Sequence, residues 1–192
     1  TILQKGFAVN LAQTFTADKR TYKSYPQLSM EIKNRRLSNT ESPVMLVSNK
    51  ELDYGTAVPL QLLLDDTTTI AIAHVFPSVQ GLAEHFAFGG DIREVLMSSE
   101  KRYGVLASAE LALGKDGDAM DKKLIAALQS DTTMKELQST PVSDIRKYQL
   151  FGLAPLVMFA GIMKGLPWTF SQLSHERLGD QGLLVAELQL RA

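Results

Sequence analysis

The stretch AVPLQLLLDDTTTIAIAHVF, residues 57–76, places an apolar run on each side of the polar joint DDTT. Short runs rich in Ile, Leu and Val and bounded by turn residues read as paired strands. In the first run Val58, Leu60, Leu62 and Leu64 share a face, and in the second Ile70, Ile72, His74 and Phe76 do. Pro59 has no N–H for a ladder bond, so its strand begins there or lies at an edge. This hairpin predicts an antiparallel sheet at the centre of the fold, and the rest of the chain is read outward from it.

Toward the N-terminus, residues 2–15 have apolar residues near helical spacing, followed by the basic connector TADKRTYKSYP. In QLSMEIKNRRL, Leu28, Met30 and Ile32 alternate with Ser29, Glu31 and Lys33, the period of a half-buried strand. VMLVS predicts another short strand. Toward the C-terminus, SVQGLAEHFAF (78–88) predicts a helix with Ser78 as its cap and Gly89 as its stop, and Asp91 with Glu94 opens a second. YGVLASAELALG leans to strand. GLLVAELQLRA reads as strand from its alternation, and Asp118 caps a helix to about Gln129.

LFGLAPLVMFAGIM (150–163) carries no charge. The uncharged stretch between Lys147 and Lys164 makes about 24 Å of helix, short of the roughly 30 Å of bilayer hydrocarbon. Pro155 interrupts it, so a kinked helix over about 141–164 is expected rather than a transmembrane span. Its apolar residues face every direction, which demands burial within the chain or against another copy. Phe151, Leu156, Phe159, Trp168 and Phe170 are the candidate interface residues. Thr169 and Gln172 match a capping box, predicting a short helix that ends at Gly179. The expected architecture is α+β, a mainly antiparallel sheet packed against the kinked helix and several short helices. Residues 1–192 read as one domain, with the basic residues 1–50 a partly separate lobe or arm.

The apolar fraction of 45% and charged fraction of 21% are those of a globular protein. No cysteine is present, which removes disulfides, thiolate catalysis and cysteine-based metal sites and fits a cytoplasmic location. Charge is uneven, strongly positive over residues 1–50 and strongly negative over 51–100. Lys19, Arg20, Lys23, Lys33, Arg35 and Arg36, interleaved with Tyr22 and Tyr25, combine phosphate-neutralising cations with rings that stack on unpaired bases. That pattern points to RNA or single-stranded DNA.

No phosphate-binding, nucleophile-elbow or dinucleotide motif occurs. HERLG lacks the second histidine of a zinc helix, and DGDAMDKK lacks the glycine and glutamate of a calcium loop. The acidic group Glu51, Asp53, Asp65 and Asp66 reads as loop polarity before it reads as a magnesium site. No cofactor and no metal are expected, and no catalytic residue is assigned. The leading expectation is a non-enzymatic structural subunit that assembles with itself or other subunits and contacts nucleic acid through the basic region. One rival is an enzyme with a site near His74, His85 and Asp91, and another is a peripheral protein at a membrane surface.

Overall fold

A computed structural model describes residues 6–37, 42–65 and 69–191. The fold is α+β, with seven α-helices and three small sheets among the described residues. Three of the five strand pairings are antiparallel. The chain divides into two compact units, one of residues 1–80 and 94–102, the other of residues 81–93 and 103–192.

The first unit is built on β1 (Phe7–Asn10), whose four residues are all buried. It lies between β4 (Val44–Val47), parallel to it, and β6 (Val75–Phe76), antiparallel. A strand apolar along nearly its whole length suits such a covered central position. The second sheet of this unit joins β2 (Thr14–Ala17), β3 (Arg20–Ser24) and β5 (Ala71–Ile72). Residues read as an N-terminal helix and a basic connector are therefore three strands.

Two further expectations reverse here. QLSMEIKNRRL belongs to α1 (Pro26–Arg35), with Pro26 at the first helical position, where its missing N–H costs nothing. Leu28, Ser29 and Ile32 form the buried stripe. The anticipated hairpin is absent among the described residues. Its first arm is α2 (Tyr54–Leu63), and its second contributes β5 and β6 to two different sheets. A short continuous apolar run suits a buried helix as well as a strand. Asp53 settles it by accepting a hydrogen bond from Thr56 N–H at 3.0 Å, an N-cap just upstream of the run. The joint residues 66–68 lie outside the described residues.

In the second unit the sequence read as two helices is one. α3 (Leu82–Met97) runs through Gly89 without stopping, and its last turn belongs to the first unit. The expected kinked helix is instead two, α6 (Val142–Lys147) and α7 (Leu153–Met163). Gln149 between them has a positive φ of 48°. Gly152 packs so tightly on the Glu110 backbone that a Cβ would not fit. Pro155 is then the third residue of α7, where a backbone N–H has no intrahelical partner to lose, so no kink is required. α7 buries Val157, Met158, Ala160 and Met163; all but Met158 join a core shared with α4 (Gly117–Ala127), α5 (Asp131–Glu136) and Trp168.

Residues 103–114, which leaned to strand, form no strand beyond an isolated antiparallel bridge between Leu113 and Gln181. The expected short helix at Thr169 is part of β7 (Trp168–Leu178), paired antiparallel with β8 (Gln181–Leu190). Long-range pairing here overrides the local capping pattern. Of the candidate interface residues, Phe151 is 70% exposed, whereas Trp168 is 7% exposed and donates its indole N–H to Leu128 O at 3.1 Å. Leu156, Phe159 and Phe170 are half-buried against the same core. No helix among the described residues is long and apolar enough to cross a membrane.

Candidate active site at the strand ends

Parallel strands end at one edge of their sheet, and ligands of such sheets bind beyond their carboxyl ends. In the first unit that edge brings three segments together. β1 ends at Asn10, β4 ends at Val47, and the antiparallel β6 begins just after His74. Asn10 N–H bonds to His74 O at 2.9 Å and Leu11 N–H to Val47 O at 2.8 Å, which fixes the three segments side by side.

The Asn10 side chain is buried and bonded at both ends. Its Oδ1 accepts from the N–H groups of Ala12 and Asn49, at 3.1 and 3.2 Å, and its Nδ2 donates to Asn49 O at 2.8 Å. It clamps the loop after β4 to the end of β1. Ser29 of α1 donates to Asn10 O at 2.9 Å, tying in the helix as well.

His74 is the titratable group at this edge. Its ring lies between Phe15, edge-on with centroids 6.1 Å apart, and Phe76, tilted at 4.1 Å. Nε2 stands 3.2 Å from Thr56 Oγ1, while Nδ1 is closed off from solvent and has no hydrogen-bond partner. Burial pushes its pKa below the ordinary 6.5, and the negative charge of Asp53 offsets part of that shift. The ring is therefore neutral at physiological pH. Thr56, His74 and Asp53 resemble a hydroxyl–imidazole–carboxylate triad in composition only. A triad carboxylate orients the ring through Nδ1, and here Nδ1 is bare and Asp53 caps α2.

Two shallow grooves flank the edge. Leu11, Gln13, Pro26, Gln27 and Met30 line one. The other is lined by β2 and α2 residues, among them Thr16, Tyr54, Ala57 and Gln61, with Asp18 and Glu51 at its acidic side.

A lowered folded-state pKa has a consequence for stability. The unfolded chain takes up a proton at His74 before the folded chain does, so folding loses stability as pH falls from about 6.5 to the lowered folded-state value. Above about 6.5 that contribution is fully retained. Urea unfolding between pH 7.5 and 5 should show this loss, and His74→Gln should remove it. Equal pH slopes in the two proteins would contradict the neutral buried ring.

The other sequence-selected histidines are in the second unit. His85 and Asp91 belong to the second unit, on α3. His85 is fully buried and donates from Nδ1 to Gly81 O, 2.9 Å away, at the start of its own helix. His175 lies on β7, 3.7 Å from Asp121 Oδ2. The combination of Asn10, Thr56 and His74 was not legible beforehand, because residues so far apart in sequence meet only through sheet pairing. His74 itself was singled out on its strand face.

Several of the basic residues are engaged within the chain. Arg20 donates to Gln61 O and Leu64 O at the end of α2, at 2.9 and 3.0 Å. Arg35 pairs with Glu94, and Arg36 is buried, donating to Ser42 O and lying over the Phe7 ring. Tyr25 precedes α1 and meets Lys101. Lys19, Tyr22 and Lys23 lie on or beside the β2–β3 hairpin, and Lys33 lies in the last turn of α1. Of the acidic group, Asp53 is a cap and Asp66 lies outside the described residues.

A mixed sheet with helices around it and a half-buried neutral imidazole at its strand ends defines an α+β protein with an enzyme-like edge. A sequence model of the family described as the catalytic LigB subunit of aromatic ring-opening dioxygenase matches residues 5–185. The chain belongs to that family. It is also similar in fold to the crystal structure of uncharacterized protein JW3007 from Escherichia coli K12. The TM-score is 0.71 and the identity 16%, over 96% of this chain and 81% of that one. A search of curated proteins finds no match. Membership in a catalytic family overturns the expectation of a non-enzymatic structural subunit that contacts nucleic acid. Uneven charge along the sequence and missing motifs did not bear on catalysis, because linear charge need not cluster in space and many sites carry no motif.

Ring-opening dioxygenases imply a redox metal, and non-haem iron oxygenases hold theirs with two histidines and one carboxylate. The residues present do not fit that set. No group of three or more His, Asp or Glu able to hold a metal ion occurs among the described residues.

Proposed function

We propose that this chain is an enzyme acting on a small aromatic compound with an acidic hydroxyl, and that its site is the strand-end edge around His74. The observation that carries this reading is the half-buried neutral imidazole, bound at Nε2 to Thr56 and bare at Nδ1. Family membership supports the substrate class.

A neutral imidazole keeps one lone pair and accepts a proton near physiological pH. Because Nδ1 is closed off from solvent, it does so at Nε2, through the half-exposed Thr56 hydroxyl, which passes its own proton to the ring and takes the substrate's. The substrate O–H breaks, a proton reaches the imidazole by that relay, and the electron pair stays on the substrate oxygen. The resulting anion is more reactive at its ring carbons. Phe76 beside the imidazole offers an apolar face to an aromatic ring.

A panel of catechols and related phenols, followed by their ultraviolet absorbance, tests the reading. The unmodified chain should bind at least one compound with a shift in its absorbance, and His74→Gln should lose that shift. An unchanged shift in His74→Gln, with the fold intact by circular dichroism, would remove His74 from the site.

A further inference from the structure

An iron centre of the ring-opening type needs two imidazoles and one carboxylate on one face of the ion, leaving the other positions to substrate and oxygen. The chain has three histidines and no cysteine, and residues 1–5, 38–41, 66–68 and 192 contain no histidine. Any such centre must therefore draw two ligands from His74, His85 and His175.

Each is committed differently. His85 is sealed inside α3 and bonded to the Gly81 carbonyl. His175 shares the Asp121 carboxylate with Arg177, whose permanent positive charge opposes a cation there. Among the described residues the carboxylate whose charge acts on His74 is Asp53, which already caps α2. At the ends of β1 and β4 the side chain in place is a neutral amide, and both ends of the Asn10 amide are bonded to backbone.

We infer that this chain does not itself build a two-histidine, one-carboxylate iron centre, and that the site works by proton transfer at His74 with an amide clamp at the strand ends. The second half rests on the reading of the site given above. It sets the chain apart from the iron chemistry that the family description implies.

The full chain, loaded anaerobically with Fe(II), and separately with Zn(II) and Mn(II), and then desalted, is assayed for retained metal by mass spectrometry. Catechol binding is measured in parallel by equilibrium dialysis, with and without a chelator, and both assays are repeated on His74→Gln. Far less than one metal per chain is expected for every ion in both proteins, with catechol binding indifferent to the chelator. One equivalent of Fe(II) retained by the unmodified chain overturns the inference, whether or not His74→Gln loses it. If it is lost with His74, the site's location stands and only its metal-free character fails. A chain that retains no metal and binds no catechol confirms the missing iron centre and refutes the proposed substrate class.

Discussion

Gly89→Ala is expected to destabilise the chain by about 3 kcal/mol, the upper end of overpacking costs. Its neighbour Gly90→Ala is expected to stabilise by about 0.5–1 kcal/mol, the helix propensity difference. The two glycines are consecutive in α3 and differ in what they face. A Cβ at Gly89 would stand under 3.0 Å from Met158 O and from Gly161 Cα, whereas a Cβ at Gly90 meets nothing within 4 Å. The contact is reciprocal, because a Cβ at Gly161 would press on Phe86 O. Backbone meets backbone at this crossing of α3 and α7, and neither side can rotate away as a side chain would. Urea unfolding of the two variants side by side checks this. A neutral Gly89→Ala would mean that the helices separate at little cost.

Asp121→Asn is expected to cost about 3–5 kcal/mol, the range for removing one partner from a buried ion pair. Asp121 is 0% exposed on α4. Its Oδ1 accepts from Ala112 N–H at 2.8 Å, and its Oδ2 pairs with Arg177 of β7. Arg177 also donates to Gly114 O at 2.9 Å and to Asp180 O at 2.6 Å. The pair thus joins the helix, the loop before it and the C-terminal hairpin. Gly182 of β8 leaves the room, since a Cβ there would collide with the Asp121 carboxylate. The amide introduced by this substitution keeps the Ala112 bond but leaves the guanidinium without its counter-charge. Adding Arg177→Leu should recover part of the loss, because the unpaired charge is then gone too. If Asp121→Asn alone cost under about 1 kcal/mol, the pair would be acting as an exposed one.

How far the fold could be read beforehand depended on the range of the deciding interaction. β8 and the helix at α4 were legible because their apolar periods are local, although Asp118, read as the cap, lies inside the first turn of α4. The segment at α2 was not, since its apolar run suited both periods and only the Asp53–Thr56 cap decides for helix. Thr169 and Gln172 carried a helix-start pattern, yet β8 pairs along the whole segment and makes it strand. Gly89 looked like a stop because glycine ends helices more often than it sits inside them. Its actual role, close approach to α7, involves a residue far along the chain.

The candidate site divides the same way. His74 was visible as a histidine on an apolar strand face, but nothing near it in sequence announced Asn10 or Thr56. His85 and Asp91, read as its partners because they follow it closely, are both on α3.

By itself, the sequence determined the α+β class, the lack of thiol chemistry, and the limit of three imidazoles that any metal centre would have to share. Patterning set the first and composition the other two, and no folding can add a thiol or a fourth imidazole. Only the tertiary structure decided which apolar runs became helix, which histidine met a hydroxyl, and that an amide closes the strand ends. Local patterns were degenerate at those places, and the contacts that broke the degeneracy join residues remote in the chain, such as Asn10 to Asn49 and Thr56 to His74.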